Sequence, residues 1–217
     1  MSGRGRSYVR FAVALVAAGG ALATGASVAA APPTPREIGG DHHSATVAGR
    51  AAEALASFDA FQTRSDTTRL IRFIGDRNAV ADAVAGEFGV APAAVRLAWA
   101  RADHRHQVAV LAALSQLGVS YQSNSSEPGV AFDCSGLTSY AWGRAGVPLY
   151  RQSGVQISDA SPRTHETARA GDLVQYPGHV MMYLGVDDAI VHASNPESDV
   201  ELSNLRDRSY NWGDPTG

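Results

Sequence analysis

The sequence predicts an α+β fold in which a run of helices precedes an antiparallel sheet. Between Val47 and Ala145 apolar residues recur at every third or fourth position, the period of one helix face. From Leu173 to Ala193 the period changes to two, in short runs separated by glycine and aspartate. Helices grouped before a strand meander imply a sheet covered by helices. The chain has 217 residues, 45% of them apolar, enough for one good-sized core. Its net charge of −3 gives no electrostatic reason to expect nucleic acid or an anionic membrane as partner.

The elements follow in order. Arg4, Arg6 and Arg10, the apolar run from Phe11 to Leu22 and the small residues up to Ala31 read as a secretory signal over 1–31. Its removal would release an exported protein with no membrane anchor. Residues 32–46, with Pro32, Pro33, Pro35, Gly39 and Gly40, read as a linker without helix or strand. His42 and His43 end it as solvated residues, lacking further ligands at metal spacing.

A helical segment is expected over 47–102. Val47, Ala51, Leu55, Phe58 and Phe61 mark the first helix. Asp66 or Thr67 caps a second, which Gly75-Asp76 breaks, and a third runs from Asn78 to Phe88. After Gly89, Pro92 opens a helix through Val95 and Trp99. The pair around Gly89 is read as a packing hairpin and not a DNA-binding helix-turn-helix, because the chain carries an export signal. The catalytic region is expected over 103–217. Its first helix spans Asp103 to Leu117 and stops at Gly118, with His104 and His106 read as surface residues. Loops are expected from Tyr121 to Val130 and from Leu149 to Ser158. Strands are expected at Leu173–Tyr176, His179–Leu184 and Ala189–Ala193.

Between those loops lies the only cysteine, Cys134. In an exported chain a solitary thiol has no internal disulfide partner, so it is an intermolecular link, a buried side chain or a nucleophile. Helical spacing through Leu137, Tyr140 and Ala141 puts it in a first helical turn with Asp133 placed to cap. The amide donors and positive dipole end there stabilise a thiolate. If the strands from His179 and to Ala193 pair antiparallel, His179 and His192 share a face, roughly 5 to 8 Å apart. A helix packed on that face would let His179 meet the thiol while His192 orients the imidazole. Spacing alone leaves buried or structural roles for all three equally open.

Phe132-Asp133-Cys134-Ser135-Gly136-Leu137, then Gly171-Asp172-Leu173-Val174, His179 to Gly185 and Val191-His192-Ala193, together resemble the NlpC/P60 family of cell-wall cysteine peptidases over roughly half the chain. The resemblance implies a papain-like core with Cys134 as nucleophile, His179 as general base and His192 as the orienting residue. It further implies that Tyr121 lies near the nucleophile, that Asp133 and Ser135 recognise a stem-peptide amine, and that Arg151, Ser153 and Gln156 line the groove. For Asp133, helix capping stands beside that role. The implied activity is a secreted, cell-wall-associated, monomeric hydrolase of peptidoglycan stem peptides, cutting the D-glutamyl to diamino acid bond without metal or cofactor. Two departures stand out. The family's Tyr-x-Trp-Gly-Gly segment is replaced by Tyr121-Gln122-Ser123-Asn124-Ser125, and the short stretch after Leu205 predicts a trimmed or differently closed sheet. The helices of 47–102 are expected to act as scaffold or to restrain the groove.

Overall fold

The computed structural model of the chain describes residues 36–217, so the expected signal sequence and the start of the expected linker lie outside the described residues. The first helix, α1 (Arg36–Thr63), begins eleven residues before Val47 and takes in Gly39, Gly40, His42 and His43. The side chains of residues 36–43 lie outside the described residues. The linker expectation is corrected at this point. Propagating an existing helix adds one hydrogen bond per residue, which here outweighs a cost of about 1 kcal/mol per glycine.

Asp66 caps α2 (Thr67–Phe88), its carboxylate accepting from the Arg69 amide at 2.9 Å. Such a cap stabilises a helix by about 1 kcal/mol. The helix runs on through Gly75-Asp76, where a break was expected, because Phe73, Arg77, Val80 and Val84 continue one buried stripe across it. Gly89 then ends it at φ 66, a left-handed conformation that favours glycine. Pro92 opens α3 (Pro92–Arg101), and Asp103 caps α4 (His104–Leu114). A short hairpin follows, β1 (Ser126–Glu127) and β2 (Ala131–Phe132), inside the stretch expected to be loop. Next come α5 (Cys134–Arg144) and α6 (Ser153–Asp159), the second again in an expected loop.

The remaining elements are strands: β3 (Ser161–Arg163), β4 (Leu173–Tyr176), β5 (His179–Tyr183), β6 (Ala189–Ala193), β7 (Val200–Asn204) and β8 (Asn211–Asp214). They form one antiparallel sheet in the order β3-β8-β4-β5-β6-β7. The fold is α+β as expected, but the sheet is fuller than the predicted meander. β7 and β8 flank it instead of leaving it trimmed.

Alternation along the strands sorts the side chains into two layers. Leu173, Val180, Met182 and Val191 join Cys134, Leu137, Leu111 and Leu114 in the main core, together with Val80, Val95 and Trp99 from the preceding helices. Val174, Met181, Tyr183 and Ile190 form a smaller cluster on the other face, under Tyr176, Tyr210 and Trp212. The indole of Trp99 donates to the Leu184 carbonyl at 2.8 Å, tying α3 to the end of β5. Thus the helices of 47–102 share the core of the sheet instead of forming a detached module. No helix among the described residues is long and apolar enough to cross a membrane.

Candidate active site

Cys134 opens α5. Asp133 before it is extended at φ −95 and ψ 177, and its carboxylate accepts from the Gly136 amide at 2.6 Å. The Leu137 amide closes on the Asp133 carbonyl at 3.0 Å. With those two donors used, the amides of Cys134 and Ser135 remain as first-turn donors lacking a carbonyl partner in their own helix. Gly136 is required for this packing. A Cβ added there would fall on the Ser125 carbonyl oxygen, so only glycine lets the turn that carries the thiol sit against that loop.

The thiol faces an open groove of about 540 Å³ lined by Tyr121, Asp133, Cys134, Ser135, Ser153 and Gly178, among others. Four of the five expected substrate-binding residues therefore line it. The fifth, Arg151, works from behind. Its guanidinium forks onto Asp133, at 3.1 Å to Oδ1 and 2.9 Å to Oδ2, and donates to Ser135 Oγ at 3.1 Å. Ser135 in turn donates to the Arg151 carbonyl at 2.7 Å. Burial works against the Asp133 charge, but Arg151 and the Gly136 amide outweigh it and hold the carboxyl below its ordinary pKa. Asp133 is thus the helix cap, and any substrate amine would compete with Arg151 for it. Gln156 is not a groove residue. It is 2% exposed and clamps α6 to α5 through Thr138 Oγ1 at 2.7 Å and the Ser135 carbonyl at 3.0 Å. No residue between 47 and 102 is among those lining the groove.

The histidines come from the β5–β6 hairpin. Met182 pairs with Val191 and Tyr183 with Ile190, a register that sets His192 diagonal to His179. Their rings meet edge to face at 5.1 Å between centroids, with His179 Nε2 2.9 Å from His192 Nδ1. The expected pairing is therefore present.

The expected approach of the helix differs. α5 packs on the Val180 and Met182 side, whereas His179 and His192 line a separate cavity of about 260 Å³ with Met181 and Ile190. Groove and cavity adjoin through the chain itself, because Gly178, which lines the thiol groove, directly precedes His179. Tyr176 and His179 pair across this two-residue turn, and Gly178 takes φ 89 in it. No hydrogen bond between the thiol and His179 is present among the described residues. Catalytic contacts of this kind commonly tighten only with substrate bound. Burial pushes His179 down to about 4, helped by the charge of Arg208. It pushes His192 down to about 4 as well, with the charges of His179 and Arg206 adding to the effect. Both rings are neutral at pH 7.

A second polar cluster escaped the sequence. His106, expected at the surface, is 0% exposed. Its Nδ1 lies 3.0 Å from Asp103 Oδ2, and its Nε2 lies 3.0 Å from Asp172 Oδ1 and 3.4 Å from Asp214 Oδ1. Arg163 closes the network against Asp214 at 2.5 Å. Burial opposes the imidazolium, but the hydrogen bonds and charges of Asp172 and Asp103 outweigh it and raise the pKa. His106, Asp172 and Asp214 have the donor types of a metal site, with ligand atoms within 4.8 Å of one another. Those atoms are already turned on each other and on Arg163, which makes the cluster an internal ion network. The Asp-x-x-His spacing from Asp103 to His106 was the one sequence signal that could have found it.

Comparison with known proteins fits these elements. The sequence model described as "NlpC/P60 family" matches residues 118–213. A "Probable endopeptidase" of Corynebacterium glutamicum is 35% identical over 130 residues, 58% of this chain and 56% of that protein. "Peptidoglycan endopeptidase RipB" of Mycobacterium tuberculosis is 32% identical over 173 residues, 71% of this chain and 70% of that one. The crystal structure of the P60 domain from the M. avium subspecies paratuberculosis antigen MAP1204 is 29% identical, with a TM-score of 0.46 over 51% of this chain and 94% of that chain. The chain spans about half the length of the two C. glutamicum relatives it matches, 56% and 48%. The family match starts just after α4 and ends in β8, taking in the cysteine helix and the histidine hairpin; with RipB aligned over most of its length besides, the chain belongs to the NlpC/P60 family.

Proposed function

We propose that the protein is a secreted, monomeric peptidoglycan hydrolase acting at the cell wall, a cysteine endopeptidase that cuts the D-glutamyl to diamino acid amide of the stem peptide. The observation that carries this reading is the junction at Gly178: a helix-start thiol faces a groove whose lining continues, one residue on, into a buried histidine pair. The similarity to RipB, a peptidoglycan endopeptidase, supports the substrate class. Residues 103–217 carry the chemistry, and the helices before them complete its core.

In the reaction, His179 Nε2 is engaged by His192, so Nδ1 is the nitrogen that takes the Cys134 proton. The sulfur adds to the amide carbonyl, and the Cys134 amide, with Tyr121 nearby, holds the oxyanion. His179 then passes its proton to the leaving amine, the C–N bond breaks, and a thioester remains. Water deprotonated by His179 hydrolyses it and frees the thiol. Asp133 and Ser135 shape the first turn, and a substrate amine reaches them by sharing Asp133 with Arg151.

Digestion of defined muropeptides followed by mass spectrometry tests the assignment. Fragments ending in D-glutamate are the expected products. Cleavage of another amide or ester would move the protein to a related amidase or acyltransferase, and no cleavage would leave a wall-binding protein.

The pH profile is a second check. The base must be neutral, so protonation removes activity as pH falls. With both rings near 4, kcat/KM on a soluble stem peptide is expected to hold through pH 6.5 and to decline as pH passes about 4. A decline centred on the ordinary histidine value of about 6.5 would contradict a buried, neutral base.

A further inference from the structure

The hydrogen bond between His179 Nε2 and His192 Nδ1 contains a single proton when both rings are neutral, and which ring supplies it decides whether the site can work. If His179 supplies it, His179 carries its proton on Nε2 and presents a bare lone pair at Nδ1, ready to take the thiol proton. If His192 supplies it, from Nδ1, the proton of His179 is displaced to its own Nδ1 and the base is blocked. The orienting residue must therefore hold its proton on Nε2.

Something must favour that form. His192 Nε2 is buried and has no hydrogen-bond partner among the described residues. The carboxylate within ion-pair range of it is Glu201, with Oε1 3.4 Å away. The sheet register sets this geometry, since His192 on β6 and Glu201 on β7 are directly opposed. The other charged side chains lining the same cavity, Arg206 and Arg208, are cations and cannot accept a proton from Nε2. A carboxylate accepts only, so Glu201 stabilises a proton on Nε2 and repels the bare lone pair of the alternative tautomer.

We propose, building on the hydrolase reading above, that Glu201 is a positioning residue that fixes His192 as its Nε2–H tautomer and thereby keeps His179 base-ready. The order of action is Glu201, His192, His179, Cys134, and only the last two touch substrate. The resemblance to the family assigns the last three of these groups and leaves Glu201 out.

The test uses the full chain labelled with 15N-histidine, as wild type, Glu201→Leu and Glu201→Gln, with two-bond proton–nitrogen spectra at pH 7. Wild type is expected to show His192 protonated at Nε2. Glu201→Leu should shift His192 measurably toward the Nδ1–H form. It should also slow alkylation of Cys134 by iodoacetamide and lower kcat on stem peptide by about tenfold, the low end for loss of an outer partner, with KM unchanged. Glu201→Gln, which retains an acceptor oxygen at the same place, should restore most of the Nε2–H form and of the alkylation rate. The same His192 tautomer in wild type and Glu201→Leu, or the same alkylation rate, overturns the proposal. Both readouts are independent of the natural substrate, so a wild-type protein that releases no stem fragments would overturn the hydrolase reading while the spectra still decide the role of Glu201.

Discussion

Replacing Cys134 with alanine is expected to lower stem-peptide hydrolysis by about 10⁴-fold or more, the usual scale for removing a nucleophile that works as a unit with its base. What survives is the contribution of the groove and the first-turn amides, which can polarise a carbonyl but cannot form an acyl-enzyme. The substitution removes one sulfur at a site bordering the open groove, so the melting temperature should move little. A time course on defined muropeptides alongside a thermal melt checks both halves. His179→Ala should fall to a similar level, and the double variant no further, because base and nucleophile are spent on the same step. Full activity in Cys134→Ala would end the cysteine mechanism.

The largest effect on stability is expected from Asp172→Ala, a loss of about 3 to 5 kcal/mol in urea unfolding. Asp172 is fully buried, faces His106 Nε2 at 3.0 Å and accepts from the Arg169 amide at 2.8 Å. Its removal takes the nearer of two carboxylates from the fully buried His106 Nε2, leaving Asp214 at 3.4 Å on that nitrogen and Asp103 at 3.0 Å on Nδ1. Asp172→Asn, which retains an acceptor oxygen, should lose less. The pH dependence gives the network away. The folded-state pKa of His106 is raised, so its stabilisation is complete below the unfolded value of about 6.5 and is lost as pH rises through the folded value. Wild type should therefore lose stability on the alkaline side through a slope that Asp172→Ala makes shallower, Asp103 keeping part of it. On the acid side, burial opposes the Asp214 charge, but bonds from Thr216 and Arg163 bring its pKa to about 2. That carboxylate stabilises the fold above its unfolded value of about 3.9 and ceases to as pH falls through about 2.

The reactive elements were legible because their signals are local. Asp133 announced a helix start at Cys134, and period-two runs located β4, β5 and β6 to within a residue at either end. What stayed hidden depends on partners far along the chain. His106 looked like a surface residue when judged by its own helix, since the acceptor that buries it, Asp172, lies 66 residues on. Val200–Asn204 alternates apolar and polar only from Val200 to Ser203, a run short enough to be passed over, and without that strand the cross-strand pairing of Glu201 with His192 was out of reach. The side of the sheet chosen by α5 was likewise undetermined. Alternation fixes which residues share a face but does not say which face a helix will cover.

The strand order β3-β8-β4 has a kinetic consequence. β3 and β4 follow one another in the chain yet do not pair; β8, last in sequence, inserts between them and bonds to both. Until it arrives, two strands present open edges of the kind that template aggregation. Closing the gap requires contacts spanning about fifty residues, and such long-range pairing is slow relative to helix formation. The docking of β8 should thus come after the cysteine helix has formed. A chain caught before that event would carry its nucleophile on an unfinished sheet, with the Asp214 side of the His106 network still missing.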